Sequence, residues 1–466
     1  MTQPPPPPAS AKLPQPPDPA ELPQPPDPAE LAEQATARIL ADLVGPHRGA
    51  VVDSPPGAGK STLVVRVAAE LADAAEHVML IAQTNEQVDD LTDRLAAARP
   101  SLAVGRLAAH DYTPPPRVAA HDNVTVSTRA DDLADCPAVL GTAHKWATVR
   151  AGQRWPWAIV DEAYQMRSDL LLRVAGLFDR ALFVGDPGQL DPFSTVETDR
   201  WTGLTWDPMQ SAVAVMLRHN PDVPVRTLPV SWRLPASAAP VIAEAFYPFT
   251  GFRAAAAPGQ RRLEFSTAPF GDNALDRTLQ IAAASGWALY ELPARHTLRT
   301  DADAVTACAA VAARALQRGP VSFSLYPERA VAPVPVTAAR IAVGTAHRDQ
   351  AQAIRTILAA NDIQGITVDT ANRLQGREFD LVIVLHPLSG RRDATAFHLE
   401  SGRLCVLTTR HRHACIVVAR AGIPELLDAH PSTDPVHLNV PVKFPDGWEA
   451  HQALLSHLQH HKVRAP

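Results

Sequence analysis

The chain has 466 residues, 43 basic against 49 acidic side chains and a formal net charge of −6, so it exceeds one ordinary domain and has no global attraction to nucleic acid; such binding would need a local basic groove. Four cysteines, Cys136, Cys308, Cys405 and Cys415, are scattered without a CxxC pair, which argues against a disulfide framework or zinc site and for a reducing cytoplasm. No apolar run approaches the ~20 residues of a membrane span, and the N-terminus is proline-rich rather than basic then apolar, so neither a membrane protein nor a signal peptide is expected.

Residues 1–30 are a proline tract with a perfect tandem repeat, LPQPPDPAE at 13–21 and again at 22–30. Such a tract cannot build a core and is expected to be a disordered, extended spacer, with docking to a protein partner as a secondary use. From Leu31, LAEQATARILADLV sets Leu31, Ala35, Ile39 and Leu40 on one side, which predicts a helix. The apolar rise at 48–53 predicts a buried strand, SPPGAGKST at 54–62 a glycine-rich turn, and 63–71 a helix. Strand, loop and helix in that order are the setting of a P-loop. Backbone N–H groups of Gly57, Ala58, Gly59, Lys60 and Ser61 would face a small concavity at the helix start, with Thr62 next to them. Lys60 would reach the β- and γ-phosphates of a nucleoside triphosphate and the Ser61 hydroxyl would hold Mg²⁺. Ser54 stands where such loops open with glycine, a change costing on the order of 1 kcal/mol if its backbone needs positive φ.

A strand at 77–82 and a helix at 86–98 follow, then an irregular connection at 99–136 and strands at 138–141, 157–160 and 181–184. Near 223 the pattern restarts, with strands at 225–230, 287–292, 341–344, 366–370, 381–385 and 415–418 between helices such as 301–317 and 350–360. Alternation of this kind predicts an α/β fold of two tandem domains with parallel sheets. The expected division is a tail at 1–30, a nucleotide-binding domain at 31–222, a second domain at 223–430 and a closing helix and tail at 431–466. The Ala/Gly/Pro-rich piece at 251–284 is read mostly as connection. His451, His457, His460 and His461 lack carboxylate or cysteine partners at ligand spacing and are not read as a metal site.

A P-loop enzyme needs a second Mg²⁺ contact and a base for water at the end of a neighbouring strand. AIVDEAYQ supplies both: Asp161, directly after the strand, is placed to hold Mg²⁺ through water, and Glu162 to accept the proton of the attacking water. In LFVGDPGQLDP, 182–192, the uncharged amide of Gln189 can donate to a γ-phosphate oxygen and accept from water.

DEAYQ and VGDPGQLDP after a GAGKS loop resemble the superfamily 1 helicases, in the branch that includes the nonsense-mediated-decay RNA helicase and its DNA-acting relatives. IAQTNEQVDDL at 81–91 is similar to the first nucleic-acid motif of that branch, with Thr84 and Asn85 at its Ser-Asn pair, and VLGTAHKWA at 139–147 to its Gly-Thr motif. LPVSWRLP at 228–235 stands where the family has Gln-Tyr-Arg, keeping Arg233 and an aromatic but with Ser231 for Gln. IAVGTAHRDQ at 341–350 resembles the strand ending in a polar turn, TVDTANRLQGREFDLVIV at 367–384 the Thr-Val-Asp and Gln-Gly-x-Glu motif, and GRLCVLTTRHRHACIVV at 402–418 the final arginine motif, with Arg410 in the key place.

The resemblance implies two RecA-like domains with ATP between them and Arg233 and Arg410 reaching its phosphates from the second domain. It also implies that Gln34 reads adenine, that Trp232 stacks on it, that Gln375, Gly376 and Glu378 approach the nucleotide, and that Thr84, Asn85, Thr142, His144, Thr370 and Arg373 contact the backbone of a single strand, DNA before RNA. Translocation would run 5′ to 3′. The short connection at 92–137 leaves little room for accessory domains and suggests a stripped motor. Two readings stand beside the motor: a nucleotide-switched binding or scaffold protein that unwinds nothing, and an unrelated P-loop kinase, which would leave Gln189 and the arginine motif unexplained.

Overall fold

Strands covered on both faces of a parallel sheet must be apolar along their whole length, and the hydrophobic runs of this chain have that character. The computed structural model describes residues 27–150, 154–190, 192, 210–248, 250–269, 271, 273–325, 332–430 and 447–466. The proline tract up to residue 26 lies outside them. The fold is α/β, with two domains each built on a parallel sheet, as the alternation implies.

The first domain opens with α1 (Pro28–Val44), which starts earlier than expected, at the end of the second repeat. Its start signal is local: the Asp27 side chain accepts the Ala29 N–H at 3.0 Å and Pro28 takes the first helical position. Among the described residues eight strands make the first sheet: β1 (Gly49–Asp53), β2 (Val78–Ala82), β3 (Val104–Leu107), β4 (Val124–Ser127), β5 (Ala138–Thr142), β6 (Trp155–Asp161), β7 (Phe178–Gly185) and β8 (Val225–Thr227). Their order is β4-β3-β5-β2-β6-β7-β1-β8, all neighbours parallel. Helices α2 (Lys60–Asp73) and α3 (Asn85–Ala98) bury Leu63, Val64, Val67, Val88, Leu91 and Leu95 against one face. Trp146, Trp155, Met166 and Val174 cover the other.

Two expectations change here. The stretch 99–136 is not merely irregular, because it holds β3 and β4. Strand β3 carries Arg106, fully buried and paired with Asp89 at 2.9 Å, so a charge interrupts its apolar run. The strand-like run at 225–230, expected to open the second domain, instead places β8 beside β1 at the edge of the first sheet.

In the second domain the strands follow the order Thr367–Thr370, Ile341–Thr345, Phe379–Leu385, His411–Arg420, Trp287–Leu292, Lys462–Arg464, again all parallel. The last of these and the helix Gly447–Gln459 belong to the region read as closing helix and tail, so its end completes the sheet. The piece at 251–284 also departs from its reading as connection. Arg261–Phe265 pairs antiparallel with Pro320–Ser324, and Ala274–Ser285 is a helix whose cap, Asn273, accepts the Asp276 N–H at 2.8 Å.

Parallel strands joined by crossover helices bring their C-terminal ends to one rim, so the turns after β1, β2, β5, β6 and β7 gather together. Among the described residues no helix is long and apolar enough to cross a membrane, no three or more His, Cys, Asp and Glu side chains cluster as metal ligands, and the four cysteines are free and buried.

Candidate active site

The loop between β1 and α2 bends into the helix through Gly57 and Gly59 at φ +74° and +87°. Gly57 is also a point of close approach: a Cβ there would lie 2.9 Å from the Ser231 hydroxyl and overlap the Arg233 side chain. Ser54 is not among the described residues with positive φ, so the backbone cost considered for it does not arise. Its hydroxyl is buried without a hydrogen-bond partner.

At the end of β6, Lys60 Nζ lies 3.2 Å from Asp161 Oδ1 and forms an ion pair with Glu162. Burial opposes the Lys60 charge, but the two carboxylates outweigh it and hold the ammonium above its ordinary range. Burial, opposed by Lys60, raises the Asp161 carboxyl. Glu162 sits at φ 51°, ψ 44°, a left-handed conformation that costs a non-glycine residue on the order of 1–3 kcal/mol and tends to occur at functional sites. The Gln165 amide donates to its Oε2 at 2.9 Å, while the Tyr164 hydroxyl donates to Asp53 at 2.6 Å and so ties this turn to β1. Neither Tyr164 nor Gln165 was singled out from the sequence, although both stand in DEAYQ.

The turn after β7 crosses between the domains. Asp186 accepts from the Gly188 N–H at 2.9 Å, from the Tyr247 hydroxyl at 2.6 Å and from the Gln189 amide. The Gln375 amide donates to Gln189 Oε1 at 2.8 Å, and Leu190 packs in the core of the second domain. Burial is the main force on the Asp186 carboxyl and lifts it to about 6 despite its three donors. Because its pKa is higher folded than unfolded, the folded state binds the extra proton, and stability falls as pH rises from about 4 to about 6. Denaturant titrations across that window should therefore show wild type losing stability relative to Asp186→Asn.

From the second domain, the Ser231 hydroxyl donates to Pro56 O at 2.7 Å and the Trp232 N–H to Gly57 O at 2.8 Å, so the segment carrying Arg233 is tied to the P-loop. Arg233 and Arg412 both donate to Glu378, at 3.1 and 3.2 Å. Arg410 is buried and donates to Val406 O at 3.0 Å and to the Thr409 hydroxyl at 2.8 Å. Burial, reinforced by neighbouring Arg233, pulls its guanidinium down to about 10. The close approach of the domains depends on Gly402, where a Cβ would lie 2.7 Å from Leu190 N and overlap the Gln189 carbonyl. Gly402→Val is expected to cost roughly 1–3 kcal/mol by overpacking, seen as a lower unfolding midpoint in a thermal scan.

A cleft of about 530 Å³ brings together Gly57 to Thr62, Asp161, Glu162, Asp186, Gln189, Arg233, Gln375, Gly376, Glu378 and Arg410. Trp232 lines an adjoining cavity, and Gln34 lines another, with Arg38 and Val225 to Thr227. The six residues matched to strand contacts lie outside the cleft, near C-terminal strand ends of both sheets. Thr84 caps α3, its hydroxyl accepting the Gln87 N–H at 3.3 Å, and the Asn85 side-chain oxygen accepts from Arg106 at 3.0 Å. Thr142 caps the short helix Ala143–Trp146, and His144 is exposed on it. Thr370 is buried, whereas Arg373 is largely exposed and only 3.8 Å from Asp369.

Two family profiles, each described as an AAA domain, match residues 32–201 and 324–422. No curated protein matches the chain. Among solved structures it is similar to the arterivirus helicase nonstructural protein 10, at 15% identity over 84% of this chain and 61% of that one, with a TM-score of 0.42. Similarity also extends to the PRRSV helicase, at 15% identity over 83% and 54% with a TM-score of 0.38. For the UvsW helicase of bacteriophage T4 the figures are 12% identity, 42% and 58%, and 0.28. The chain thus spans 61% of the arterivirus protein's length. The two AAA-domain profiles fall one on each domain, and the motifs that resemble those of the superfamily 1 helicases run through both domains in order.

Proposed function

We propose that the chain hydrolyses ATP in the cleft between its domains and uses the cleft's opening and closing to move along single-stranded nucleic acid, DNA before RNA, in the 5′ to 3′ direction. The observation that carries this reading is the cleft itself, which is lined from both sides: Lys60, Asp161, Glu162 and Gln189 from the first domain, Arg233, Gln375 and Arg410 from the second.

Lys60, held between Asp161 and Glu162, would exchange those carboxylates for the β- and γ-phosphates as ATP enters. Ser61 and Asp161 would hold Mg²⁺, and the buried Asp161 carboxylate, whose Oδ1 faces Lys60 in the cleft, suits that role. When bound, the ion would neutralise charge between the phosphates. Freed from Lys60 and steadied by Gln165, Glu162 would take the proton of the attacking water. Arg233 and Arg410 would offset charge on the transferred phosphoryl group, while Gln189 would link its presence to Gln375 across the cleft. Hydrolysis would thereby loosen the domains. Thr84, Asn85, Thr142, His144, Thr370 and Arg373 supply hydroxyls, amides and cations suited to sequence-blind phosphate contacts. Free buried thiols suit a reducing cytoplasm.

The deciding measurement is ATP turnover with and without single-stranded DNA or RNA at low salt, where backbone contacts are strongest. Stimulation by either polymer supports a motor. Turnover that neither polymer changes would reject it in favour of a nucleotide-switched binding protein.

A further inference from the structure

Beside the P-loop opens a second cavity, of about 350 Å³, which shares Ala58, Gly59 and Thr62 with the phosphate cleft. A triphosphate held at Lys60 and Ser61 carries its base on the far side of the α-phosphate, and this cavity adjoins the loop where the base would emerge. Its walls suit a flat heterocycle: Ala29 and Ala32 of α1, Leu63 of α2, then Leu228, Pro229 and the indole of Trp232. The indole reaches the loop itself, since a Cβ at Gly59 would lie 3.7 Å from its Cδ1 and Nε1. Stacking of this kind holds any base, because every base presents a π face.

The polar groups around the cavity are largely committed to one another. Arg66 donates to both oxygens of Glu33, at 2.8 and 2.9 Å, and to Glu70 at 3.0 Å. The Thr36 hydroxyl donates to Ala32 O at 2.9 Å, and Pro229 has no N–H to give. Reading adenine requires a donor and an acceptor side by side, as in a side-chain amide that meets its ring nitrogen and exocyclic amine together. Among the described residues no amide side chain lines this cavity, and Gln34 lines a different one. What remains of Glu33 can accept from the amine of adenine or from the N–H groups of guanine alike.

We infer that the base subsite lies between α1 and Trp232 and accepts adenine and guanine nucleotides without discrimination, so that the chain is a nucleoside triphosphatase without specificity for ATP. The inference rests on the proposed hydrolysis in the adjoining cleft.

Initial rates of phosphate release by the full chain with ATP and with GTP test it. An amide reading adenine at two points is worth roughly a 5- to 150-fold preference; without one, kcat/KM for GTP is expected within about threefold of that for ATP. Glu33→Gln, which puts an amide in the cavity, should raise the ATP:GTP ratio about fivefold or more by the same contact. Trp232→Ala should raise KM for both purines together. A wild-type preference for ATP above about tenfold, a single good contact's worth, would overturn the inference, all the more if Gln34→Ala abolished it. So would a Trp232→Ala variant with both KM values unchanged. If no triphosphate is hydrolysed, it is the hydrolysis reading that fails. Equilibrium binding of ATP and GTP then decides this one, equal affinities supporting it and a tenfold edge for ATP, about 1.4 kcal/mol, refuting it.

Discussion

Glu162→Gln is expected to lower ATP turnover roughly 10²–10⁴-fold, the usual worth of a positioned general base, while leaving nucleotide binding in place. The amide matches the carboxylate in shape and can keep its contact with Gln165 and its left-handed backbone, but it cannot take a proton from water. It also relieves Lys60 of one of its two anionic partners, so ATP affinity should hold or rise. Single-turnover hydrolysis beside equilibrium binding separates these effects. Normal turnover in this variant would move the general base elsewhere.

Arg410→Met is expected to reduce turnover by roughly 10³–10⁵, the range seen for arginines that reach a transferred phosphoryl group from across a cleft. Its effect on stability should run the other way. Arg410 is buried with a carbonyl and a hydroxyl as its hydrogen-bond partners, and among the described residues it forms no ion pair. A buried cation without an anion is costly, and an apolar side chain of similar length removes that cost. The unfolding midpoint should therefore hold or rise while activity collapses, the trade expected where a site stores charge for a ligand. A variant that lost stability and activity together would point to a structural arginine instead.

Much of the first domain could be read from the sequence because its signals are local. The P-loop, the Asp-Glu pair and the Gly-Asp-Pro-Gly-Gln turn each follow an apolar strand, and parallel topology then carries all of them to one rim. What escaped depended on partners far along the chain. Arg106 makes β3 look polar until Asp89 and Asn85 are placed against it. Strand β8 is short and exposed on two of its three residues, so nothing in it says which sheet it will join. The helix Ala274–Ser285 lies among Gly, Pro and Ala, which blurred its start, although the cap Asn273 was in plain view. Tyr247 gave no sign of its role, because its meaning comes only from Asp186. Gln34 had the right residue type near the right place, and its cavity is decided by how α1 rotates against β8.

The seating of Leu190 in the second domain's core has a consequence for how the protein is made. During synthesis the first domain leaves the ribosome with this leucine uncovered, because Leu404, Leu407 and Leu454, its fellow core members, are translated much later. Until they arrive, the turn from Asp186 to Gln189 lacks the support of Tyr247 and Gln375. A nascent or truncated chain would carry the P-loop but not the assembled cleft, so on the proposed function the order of translation itself would keep an unfinished chain from hydrolysing nucleotide.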